Sequence, residues 1–247
     1  EQDSYFNTAL IDQALIPLMR KGITQPTLVI TRWNNPTISL GNFQDHGLDL
    51  DLGACLRYGV SVVRRKTGGQ SVYLDEDYIV FSITTPRNYF PLGLNQLRES
   101  VSRGIARSLQ QFGIHAEFFP VDNVVVKDSD SIKTIGNSGQ RISGDIVSVQ
   151  ASVRYDLRHL DRMLDMLKIN GNKLNMHYDE VLKFLASVKM YNPDVEKEQI
   201  ENSIVRNLLK HWEVGEFTDE ELDYIREHSR NEYSDDWTFR NGPLQSK

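Results

Sequence analysis

The sequence predicts a mixed α/β (α+β) domain in which a mixed β-sheet is flanked by helices. Short runs of β-branched and aromatic residues dominate the first two-thirds of the 247 residues, and amphipathic helical patterns dominate the last third. Hydrophobic residues make up 39% and charged residues 25% of the chain, which is typical of a globular protein. This length is enough to bury one substantial core.

Hydrophobic periodicity and turn residues predict the elements in order. In the first part, helices are predicted at residues 6–20, 48–58 and 94–112, and strands at residues 27–33, 37–40, 60–64, 78–84, 115–119, 123–127 and 142–155. A polar loop is predicted at residues 128–139. From residue 157 onward the pattern predicts helices at 157–168, 177–187, 196–212 and 218–231, followed by a packed terminal segment at residues 235–240.

Charge and composition exclude several classes of function. The formal net charge is −6 and no broad basic face is visible, which argues against a non-specific nucleic-acid binder. No apolar run approaches the roughly 18 residues of a membrane span, and no signal peptide is visible. The single cysteine, Cys55, rules out an internal disulfide and fits a reducing compartment. We therefore expect a cytoplasmic protein without nucleic-acid or membrane partners.

The most informative segment is residues 61–73, with the sequence SVVRRKTGGQSVY. A β-branched run leads into three consecutive cations, a hydroxyl and two glycines. Glycines let the backbone approach a ligand closely, and successive N–H groups beside arginine can hold a carboxylate or phosphate. The segment predicts a hairpin whose turn binds an acid or an acyl phosphate. A solvated basic turn is the alternative, because paired glycines are also a common turn signal.

Lys133 lies in a second stretch of small residues, KTIGNSGQ, at residues 133–140. A lysine facing a loop of this kind can hold a carbonyl and a phosphate oxygen together as a compact point charge. Taken alone, such a lysine is more often an ordinary surface residue. Its pairing with the arginine–glycine segment is what favours a functional role.

The other chemistry-bearing residues give weaker signals. Cys55 is predicted to lie on a helix beside Leu and Ala, where a free cysteine usually acts as a small hydrophobe. The six histidines show no close metal-ligand spacing, so no zinc site is expected, and no Rossmann or P-loop pattern occurs. A set of apolar residues is typical of a core, of which two or three are expected to line a slot for an aliphatic acid: Trp33, Phe43, Val72, Tyr73 and Phe81.

Together these segments resemble the biotin/lipoate protein ligase family, most closely its lipoate–protein ligase branch of archaeal type. The resemblance covers nearly the whole chain and is carried, in order, by residues 41–44 (GNFQ), 64–69 (RRKTGG), Asp75, 81–82 (FS), 122–126 (DNVVV), Lys133-x-x-Gly136-x-Ser138 and Tyr233-Ser234-x-x-Trp237. It implies a class II synthetase-like sheet shared with biotin ligases. It also implies a single catalytic domain over residues 1–247 with a helical C-terminal part.

The resemblance implies a two-step reaction. Lipoate and MgATP give lipoyl-adenylate, and the lipoyl group then passes to a lysine on a lipoyl domain. The implied acceptor is the E2 component of a 2-oxoacid dehydrogenase or the glycine cleavage H protein. Fixed cations and N–H donors stabilise the charge of a mixed anhydride as it forms, which makes the basic glycine segment suitable for this chemistry.

The same resemblance implies the roles of individual residues. Lys133 is the implied catalytic residue, which bridges the acyl carbonyl and the α-phosphate, and Asp122 is the implied Mg²⁺ contact. The implied contacts to ATP and lipoyl-adenylate are Arg65, Thr67, Gly68, Gly69, Gln70, Val72, Tyr73, Asn123, Gly136 and Ser138. The implied lipoate pocket consists of Gly41, Phe43, Gln44 and Ser152.

The chain departs from the family pattern at several positions. Gln70 stands where a third glycine is usual, and Leu74 stands where a histidine is usual. Residues 77–78 replace a Gly-Asn pair, residues 122–123 reverse an Asn-Asp pair, and residues 150–152 replace His-Gly-Thr. Several of these positions shape the nucleotide side of the pocket, which leaves substrate and donor specificity open.

Three alternative functions stay open at this point. Octanoyl- and lipoyl-transferases of the same superfamily attack with a cysteine near the lysine segment, whereas Cys55 lies in another element. A biotin ligase shares the arginine–glycine pattern, and a non-catalytic acyl-binding protein is compatible with the departures at Gln70, Leu74 and Gln150. No counterpart of the accessory domain of single-chain ligases follows Trp237, so a separate accessory subunit is expected.

Overall fold

The computed structural model describes residues 3–89, 94–128, 131–169, 171–173 and 176–240. The helices are α1 (Ser4–Asp12), α2 (Leu15–Arg20), α3 (His46–Asp49), α4 (Leu52–Arg57), α5 (Leu94–Gln110), α6 (Leu160–Met166), α7 (Tyr178–Val181), α8 (Val188–Tyr191), α9 (Lys197–Leu208), α10 (Asp219–Glu232) and α11 (Asp235–Thr238). The strands are β1 (Thr27–Thr31), β2 (Thr37–Leu40), β3 (Ser61–Arg64), β4 (Val72–Leu74), β5 (Tyr78–Pro86), β6 (Ala116–Phe119), β7 (Asn123–Lys127), β8 (Ile132–Ser143), β9 (Ile146–Arg154), β10 (Lys168–Ile169) and β11 (Asn172–Lys173).

The large sheet has six strands in the order β1-β5-β9-β8-β7-β6, and every neighbouring pair is antiparallel. Successive side chains of a strand point to opposite faces. On β9 the odd-numbered residues from Val147 to Val153 therefore face one side, where they pack against α5 and α9 in the largest core cluster. The even-numbered residues of β9, from Ser148 to Arg154, face the other side. This second face is largely polar and carries the candidate site.

The small sheet has the order β3-β2-β4, with β2 parallel to β3 and antiparallel to β4. The predicted hairpin around the arginine–glycine segment is therefore wrong, because β2 lies between the two strands that the segment connects. The predicted fold class is confirmed, with the mixed pairing in this small sheet. Both loops that leave β2 and β3 start at the same edge, since parallel strands end on the same side.

Two predicted elements differ in instructive ways. The predicted helix at residues 6–20 is broken into α1 and α2, and Pro17 falls in the first turn of α2. Proline lacks an N–H and clashes with the carbonyl four residues earlier, so a helix restarts around it rather than running through it. The predicted strand at residues 142–155 is two strands, since Gly144, with a φ of 63°, makes the turn between β8 and β9.

The predicted polar loop at residues 128–139 is also wrong over most of its length, because β8 begins at Ile132. Neighbours β7 and β9 supply hydrogen bonds along both edges of β8, and this pairing outweighs the weak strand preference of glycine, asparagine and serine. Lys133 is thus a strand residue and not a loop residue. Among the described residues, no helix is long and apolar enough to cross a membrane.

Candidate functional site

Residues 41–44 and 65–71, called the paired loops below, lie side by side at the edge of the small sheet. The N–H of Asn42 donates to the carbonyl of Thr67 over 2.9 Å. A Cβ on Gly41 would lie 2.0 Å from the carbonyl oxygen of Gly69, so only glycine fits at position 41. Gly69 itself has a φ of 96°, which favours glycine. The two glycines allow the loops to touch along their backbones.

Gln44 joins the paired loops through its side chain. Its Oε1 atom accepts hydrogen bonds from the N–H of Gly41 at 2.9 Å and from the hydroxyl of Ser71 at 3.0 Å. Its Nε2 donates to Oε1 of Gln70 over 3.3 Å. Gln70 stands where the resemblance expected a third glycine, and its amide therefore adds a contact between the loops. Phe43, beside them, is 63% exposed and lies next to Gly68.

Arg65 holds the shape of the second loop from inside. Its guanidinium donates to the carbonyls of Ser39 at 2.6 Å, Gly68 at 2.7 Å and Gln70 at 2.8 Å. Burial lowers the pKa of Arg65 to about 10, so the group stays charged at neutral pH. The resemblance implied that Arg65 cradles the ligand, but its donors face backbone carbonyls of the protein. Its role in this structure is to position the loop.

Arg64 performs the same task for the first loop. It is fully buried and donates to the carbonyls of Gly41, Gln44 and Thr238 at 3.1, 2.6 and 3.0 Å. Nη2 of Arg64 lacks a hydrogen-bond partner among the described residues, but it is buried, so the exposed donors of the second loop are its backbone N–H groups. Those of residues 67–69 donate to no other group in the described part of the chain, and residues 68–70 are exposed. Successive free N–H groups of this kind suit a phosphate or carboxylate.

Asp12, at the end of α1, lies beneath the second loop and is fully buried. Its carboxylate accepts from the N–H of Lys66 at 2.5 Å, from Nε2 of Gln150 at 2.7 Å and from the hydroxyl of Tyr233 at 2.8 Å. Gln150 also donates to Oγ1 of Thr67 over 3.4 Å. Gln150, which replaces the expected histidine, thus links the loop to the buried acid. Three donors offset the cost of burying the carboxylate.

The polar face of the large sheet continues away from the paired loops. Ser152 lies two residues beyond Gln150 on the same face of β9, and its hydroxyl donates to Oδ1 of Asn137 at 2.8 Å. Ser82, opposite Gln150 on β5, is fully buried, and its hydroxyl has no hydrogen-bond partner among the described residues. An unpaired buried hydroxyl is costly unless a ligand or water completes it. This face therefore has the character of a pocket floor.

Lys133 lies farther along β8. Gly139 is opposite Gln150, and Lys133 is six residues before it, or about 20 Å at the usual strand rise. Its ammonium is 2.9 Å from Oδ2 of Asp128, and the side chain is 18% exposed. The paired loops and Lys133 share no hydrogen-bond partner among the described residues. The paired loops border the small sheet and Lys133 lies on β8 of the large sheet, so the structure does not bring them into direct contact.

Several other residues that the resemblance implied as ligand contacts make contacts within the protein. The Ser138 hydroxyl is 3.1 Å from that of Ser102 on α5, on the face of the sheet opposite Gln150. Gly136 allows close strand pairing, because a Cβ there would lie 2.7 Å from the carbonyl of Ser152. Tyr73 is buried in the cluster formed around the small sheet, and Val72 packs against the same cluster. A direct role for the side chains of Ser138 and Tyr73 in binding is therefore not favoured.

Asp122 and Asn123 lie at the start of β7. The Asp122 carboxylate is 3.7 Å from the guanidinium of Arg98, and Nδ2 of Asn123 donates to its Oδ1 at 3.3 Å. The side chain of Asp122 is 37% exposed. Mg²⁺ bound with a nucleotide needs only one or two carboxylates, with phosphates and waters completing its coordination. A single accessible carboxylate fits that requirement, and Mg²⁺ would supply charge neutralisation at the phosphates.

The C-terminal segment covers the cationic side of the second loop. The Trp237 indole N–H donates to the carbonyl of Arg64 at 2.8 Å, and the ammonium of Lys66 lies 3.4 Å from the centre of its ring. Lys66 also pairs with Glu232 at 3.1 Å. The guanidinium of Arg240 also stacks on the Trp237 ring, and it donates to the carbonyl of Asn42 at 2.6 Å. Lys66 is therefore held by the protein and is not an obvious ligand contact.

Cys55 is a core residue, as predicted. It lies on α4, is 2% exposed and belongs to the cluster around the small sheet. Burial, with a smaller effect from Asp51, raises the pKa of its thiol to about 11. At neutral pH only about one molecule in 10⁴ would carry the reactive thiolate.

Three site residues were not predicted from the sequence. Asp12 follows apolar residues in the first helix. An acidic residue on the buried face of a helix is the sequence signal that could have identified it. Arg141, on the polar face of β8, donates to the carbonyl of Lys66 over 3.4 Å. Trp237 was quoted only as a part of the resemblance. Its position against Arg64 and Lys66 depends on contacts about 170 residues apart in sequence, which no local pattern reveals.

A helix-flanked antiparallel sheet with a glycine loop held by buried arginines defines a protein of the lipoate ligase fold class. The sequence model of the lipoyl protein ligase A/B catalytic domain matches residues 3–209. The chain belongs to this family, and the resemblance seen in the sequence is confirmed.

Solved structures and curated relatives agree on the fold and differ in their activities. The chain matches a bi-partite lipoate protein ligase, described with its E2 lipoyl domain, from Thermoplasma acidophilum with a TM-score of 0.82 and 20% identity over 99% of this chain and 94% of that one. It matches a lipoate-protein ligase A bound with ATP with a TM-score of 0.78 and 19% identity over 96% and 94%.

Curated relatives from several bacteria carry the name octanoyltransferase LipM. The protein from Anoxybacillus flavithermus is 26% identical over 95% of this chain and 94% of its own length. The protein from Staphylococcus aureus is 23% identical over 97% and 95%. The chain is thus an enzyme of the lipoate ligase and transferase superfamily.

Proposed function

We propose that the chain is a lipoate–protein ligase, which forms lipoyl-adenylate from lipoate and MgATP and transfers the lipoyl group to a lysine of a lipoyl domain. One observation carries the choice of ligase over transferase. Cys55 is buried, and its thiol is protonated at neutral pH, so it is not available to form an acyl-enzyme. Transfer then proceeds by direct attack of the acceptor amine on an activated acyl group.

The paired loops supply the binding chemistry for this proposal. The free N–H groups of residues 67–69 would hold the phosphate of the adenylate, and Arg64 and Arg65 would fix the loops before the ligand arrives. Preorganised donors of this kind stabilise developing charge without reorganising during the reaction. Gly41, Phe43 and Gln44 border the loops, and Ser152 lies on the adjoining sheet face, where the lipoyl chain would run.

Lys133 would bridge the acyl carbonyl and the α-phosphate, the role that the family resemblance implies. Its partner Asp128 holds the ammonium in place until the substrate replaces that contact. Asp122 would provide the carboxylate for Mg²⁺ at the nucleotide phosphates.

The proposed partners are a lipoyl domain and a separate accessory subunit. The neighbour from Thermoplasma acidophilum is a bi-partite ligase described with its E2 lipoyl domain, which supports both proposed partners. Localisation in the cytoplasm is consistent with the single unpaired cysteine.

Octanoyl transfer is the second candidate, favoured by relatives that are named octanoyltransferases and match along almost their full length. A ligation assay separates the two candidates. The chain is incubated with a lipoyl domain and either lipoate plus MgATP or an octanoyl-loaded acyl carrier protein, and the mass of the lipoyl domain is measured. Lipoyl mass gain that requires ATP supports the ligase. Octanoyl mass gain without ATP supports the transferase.

A further inference from the structure

A cluster of metal-binding side chains lies outside the paired loops. Asp75 and Asp77 each offer a carboxylate oxygen and His159 a ring nitrogen, and these three atoms lie within 4.8 Å of one another. Both carboxylates belong to residues that are 2% exposed. The imidazole Nδ1 of His159 is 2.8 Å from Oδ2 of Asp75. Residue spacing did not predict this cluster, because the histidine lies 84 residues from Asp75.

Backbone contacts hold the cluster in place. Asp75 and Asp77 lie in the turn between β4 and β5, where Oδ1 of Asp75 accepts from the N–H of Asp77 at 2.9 Å. The carbonyl of Asp77 accepts from the N–H groups of Tyr155 and Asp156 at 2.7 and 3.1 Å. These bonds fix the segment that leads into α6, and His159 is the residue directly before that helix. All three side chains are therefore brought together by fixed backbone.

A buried hydroxyl borders the cluster beside the Asp75 carboxylate. Tyr73 is 4% exposed, and its hydroxyl makes no hydrogen bond of ordinary geometry within the described residues. It lines the same cavity as Asp75, Asp77 and His159, and this cavity measures about 10 Å³. That volume is at the lower limit for one water molecule. A buried hydroxyl without a hydrogen bond of ordinary geometry indicates that a water or an ion can complete the site.

The present counter-charge at the cluster is a surface arginine. Nε of Arg158 is 2.9 Å from Oδ1 of Asp77, while the Arg158 side chain is 55% exposed. Two buried carboxylates need a compensating cation. A half-exposed arginine can move into solvent and leave the Asp77 oxygens free for another cation.

We propose that Asp75, Asp77 and His159 form a Zn²⁺ site, which a water hydrogen-bonded to the Tyr73 hydroxyl completes. Two carboxylate oxygens, one imidazole nitrogen and one water make a four-coordinate set of the kind that Zn²⁺ accepts. The imidazole favours Zn²⁺ over Mg²⁺, which prefers oxygen ligands only. Because zinc–ligand bonds are about 2.1 Å long, small rotations of the side chains must bring the three atoms closer together. Arg158 leaves Asp77 when the ion binds.

The experiment is calorimetric titration of the chelator-treated full chain with ZnCl₂, and separately with MgCl₂. We expect one Zn²⁺ per chain, with no comparable binding of Mg²⁺. His159→Gln should weaken Zn²⁺ binding at least tenfold, because it removes the nitrogen ligand. Arg158→Gln should tighten binding several-fold, because it removes the competing cation. His115→Gln, which changes an exposed histidine on another part of the chain, is the matched control and should bind as the unchanged protein does.

Two results would overturn the proposal: the absence of a one-to-one Zn²⁺ site in the unchanged chain, or equal affinities for the His159→Gln and His115→Gln proteins. Circular dichroism of each variant checks that it is folded. If His159→Gln fails to fold, the Arg158→Gln protein alone tests the proposal. Unchanged or weaker Zn²⁺ binding by Arg158→Gln would contradict the displacement of Arg158. None of these measurements depends on acyl-transfer activity, so the site can fail while the proposed function stands.

Discussion

The Tyr233 hydroxyl donates to the Asp12 carboxylate over 2.8 Å, between two buried residues 221 positions apart. Burial and the charge of Asp12 raise the pKa of the Tyr233 phenol well above its ordinary value, so the hydroxyl remains a donor. Asp12 in turn accepts from the N–H of Lys66, which belongs to the second of the paired loops. The C-terminal helices, the first helix and the glycine loop therefore meet at one buried carboxylate.

Replacing Tyr233 with phenylalanine should destabilise the chain by about 1.5–3 kcal/mol, the usual effect of removing a donor to a buried charge. It should also lower the affinity for lipoyl-adenylate, because Asp12 no longer holds the loop as firmly. Urea denaturation measures the first effect and equilibrium binding the second. Tyr89→Phe, at a position that is 67% exposed, is the control and should change neither. Equal unfolding midpoints for both variants would show that the Asp12–Tyr233 bond is not important.

Replacing Lys133 with alanine should abolish acyl-adenylate formation and leave the fold intact, since it removes one partly exposed ion pair worth at most about 1 kcal/mol. Lys133→Arg should also fail, because a planar guanidinium does not replace a compact ammonium. Adenylate yield from lipoate and MgATP measures the effect. Lys127→Ala removes a neighbouring strand lysine that pairs with Glu117 and should retain the yield. Near-normal yield from Lys133→Ala would exclude its catalytic role.

Replacing Cys55 with serine or alanine should leave acyl transfer unchanged per folded molecule. A buried thiol lost to alanine should cost about 1–2 kcal/mol of stability through the cavity that it leaves. Intact-protein mass spectrometry after incubation with each acyl donor should show no acyl adduct on the unchanged chain. An adduct at Cys55 would assign the chain to the transferases.

His228 should make the stability of the chain depend on pH. Burial lowers the pKa of its imidazole below the ordinary value of about 6.5, with Glu232 and Asp12 acting in the opposite direction. The unfolded chain therefore binds more protons than the folded chain in this range. The contribution of His228 to the free energy of unfolding should be constant above about pH 7.5 and fall as the pH drops through about 6.5. Urea denaturation of His228→Gln should give a flatter profile between pH 7.5 and 5.5, and identical slopes would contradict this assignment.

The sequence was sufficient to identify the arginine–glycine segment as a candidate binding loop, because its glycines and cations are neighbours in the chain. It did not reveal the direction in which the arginines point. Burial of the Arg65 guanidinium requires nearby acceptors, and these are the carbonyls of Gly68 and Gln70 in its own loop and of Ser39 on another strand. Lys133 was expected in a loop because small polar residues are typical of loops. Pairing on both edges of β8 made that stretch a strand, and such pairing is a long-range property.

Asp12 and Gln150 show the same limit for the site itself. No local sequence pattern predicts the contact between these two residues. Their contact at 2.7 Å arises only after α1 packs under the glycine loop and β9 takes its place in the sheet. The histidine expected at Gln150 by resemblance would have suggested a ligand contact, whereas the amide in this chain supports the loop.

The requirement for an accessory subunit is a separate prediction. Adenylate formation needs ATP held in line with the carboxylate and water kept away from the anhydride, whereas transfer starts from an acyl group that is already activated. The isolated chain should therefore act poorly on lipoate plus MgATP and well on preformed lipoyl-adenylate. Rates of lipoyl-domain modification from the two donors measure this difference, and equal rates would contradict the need for a partner.

The most direct test of non-covalent acyl transfer is the single-turnover rate from lipoyl-adenylate to a lipoyl domain, measured for the unchanged chain and for Cys55→Ala. The account predicts equal rates, because the acceptor lysine attacks the adenylate held at the paired loops without an intermediate on the enzyme. A rate that falls to the uncatalysed level in Cys55→Ala, with the variant still folded, would contradict it.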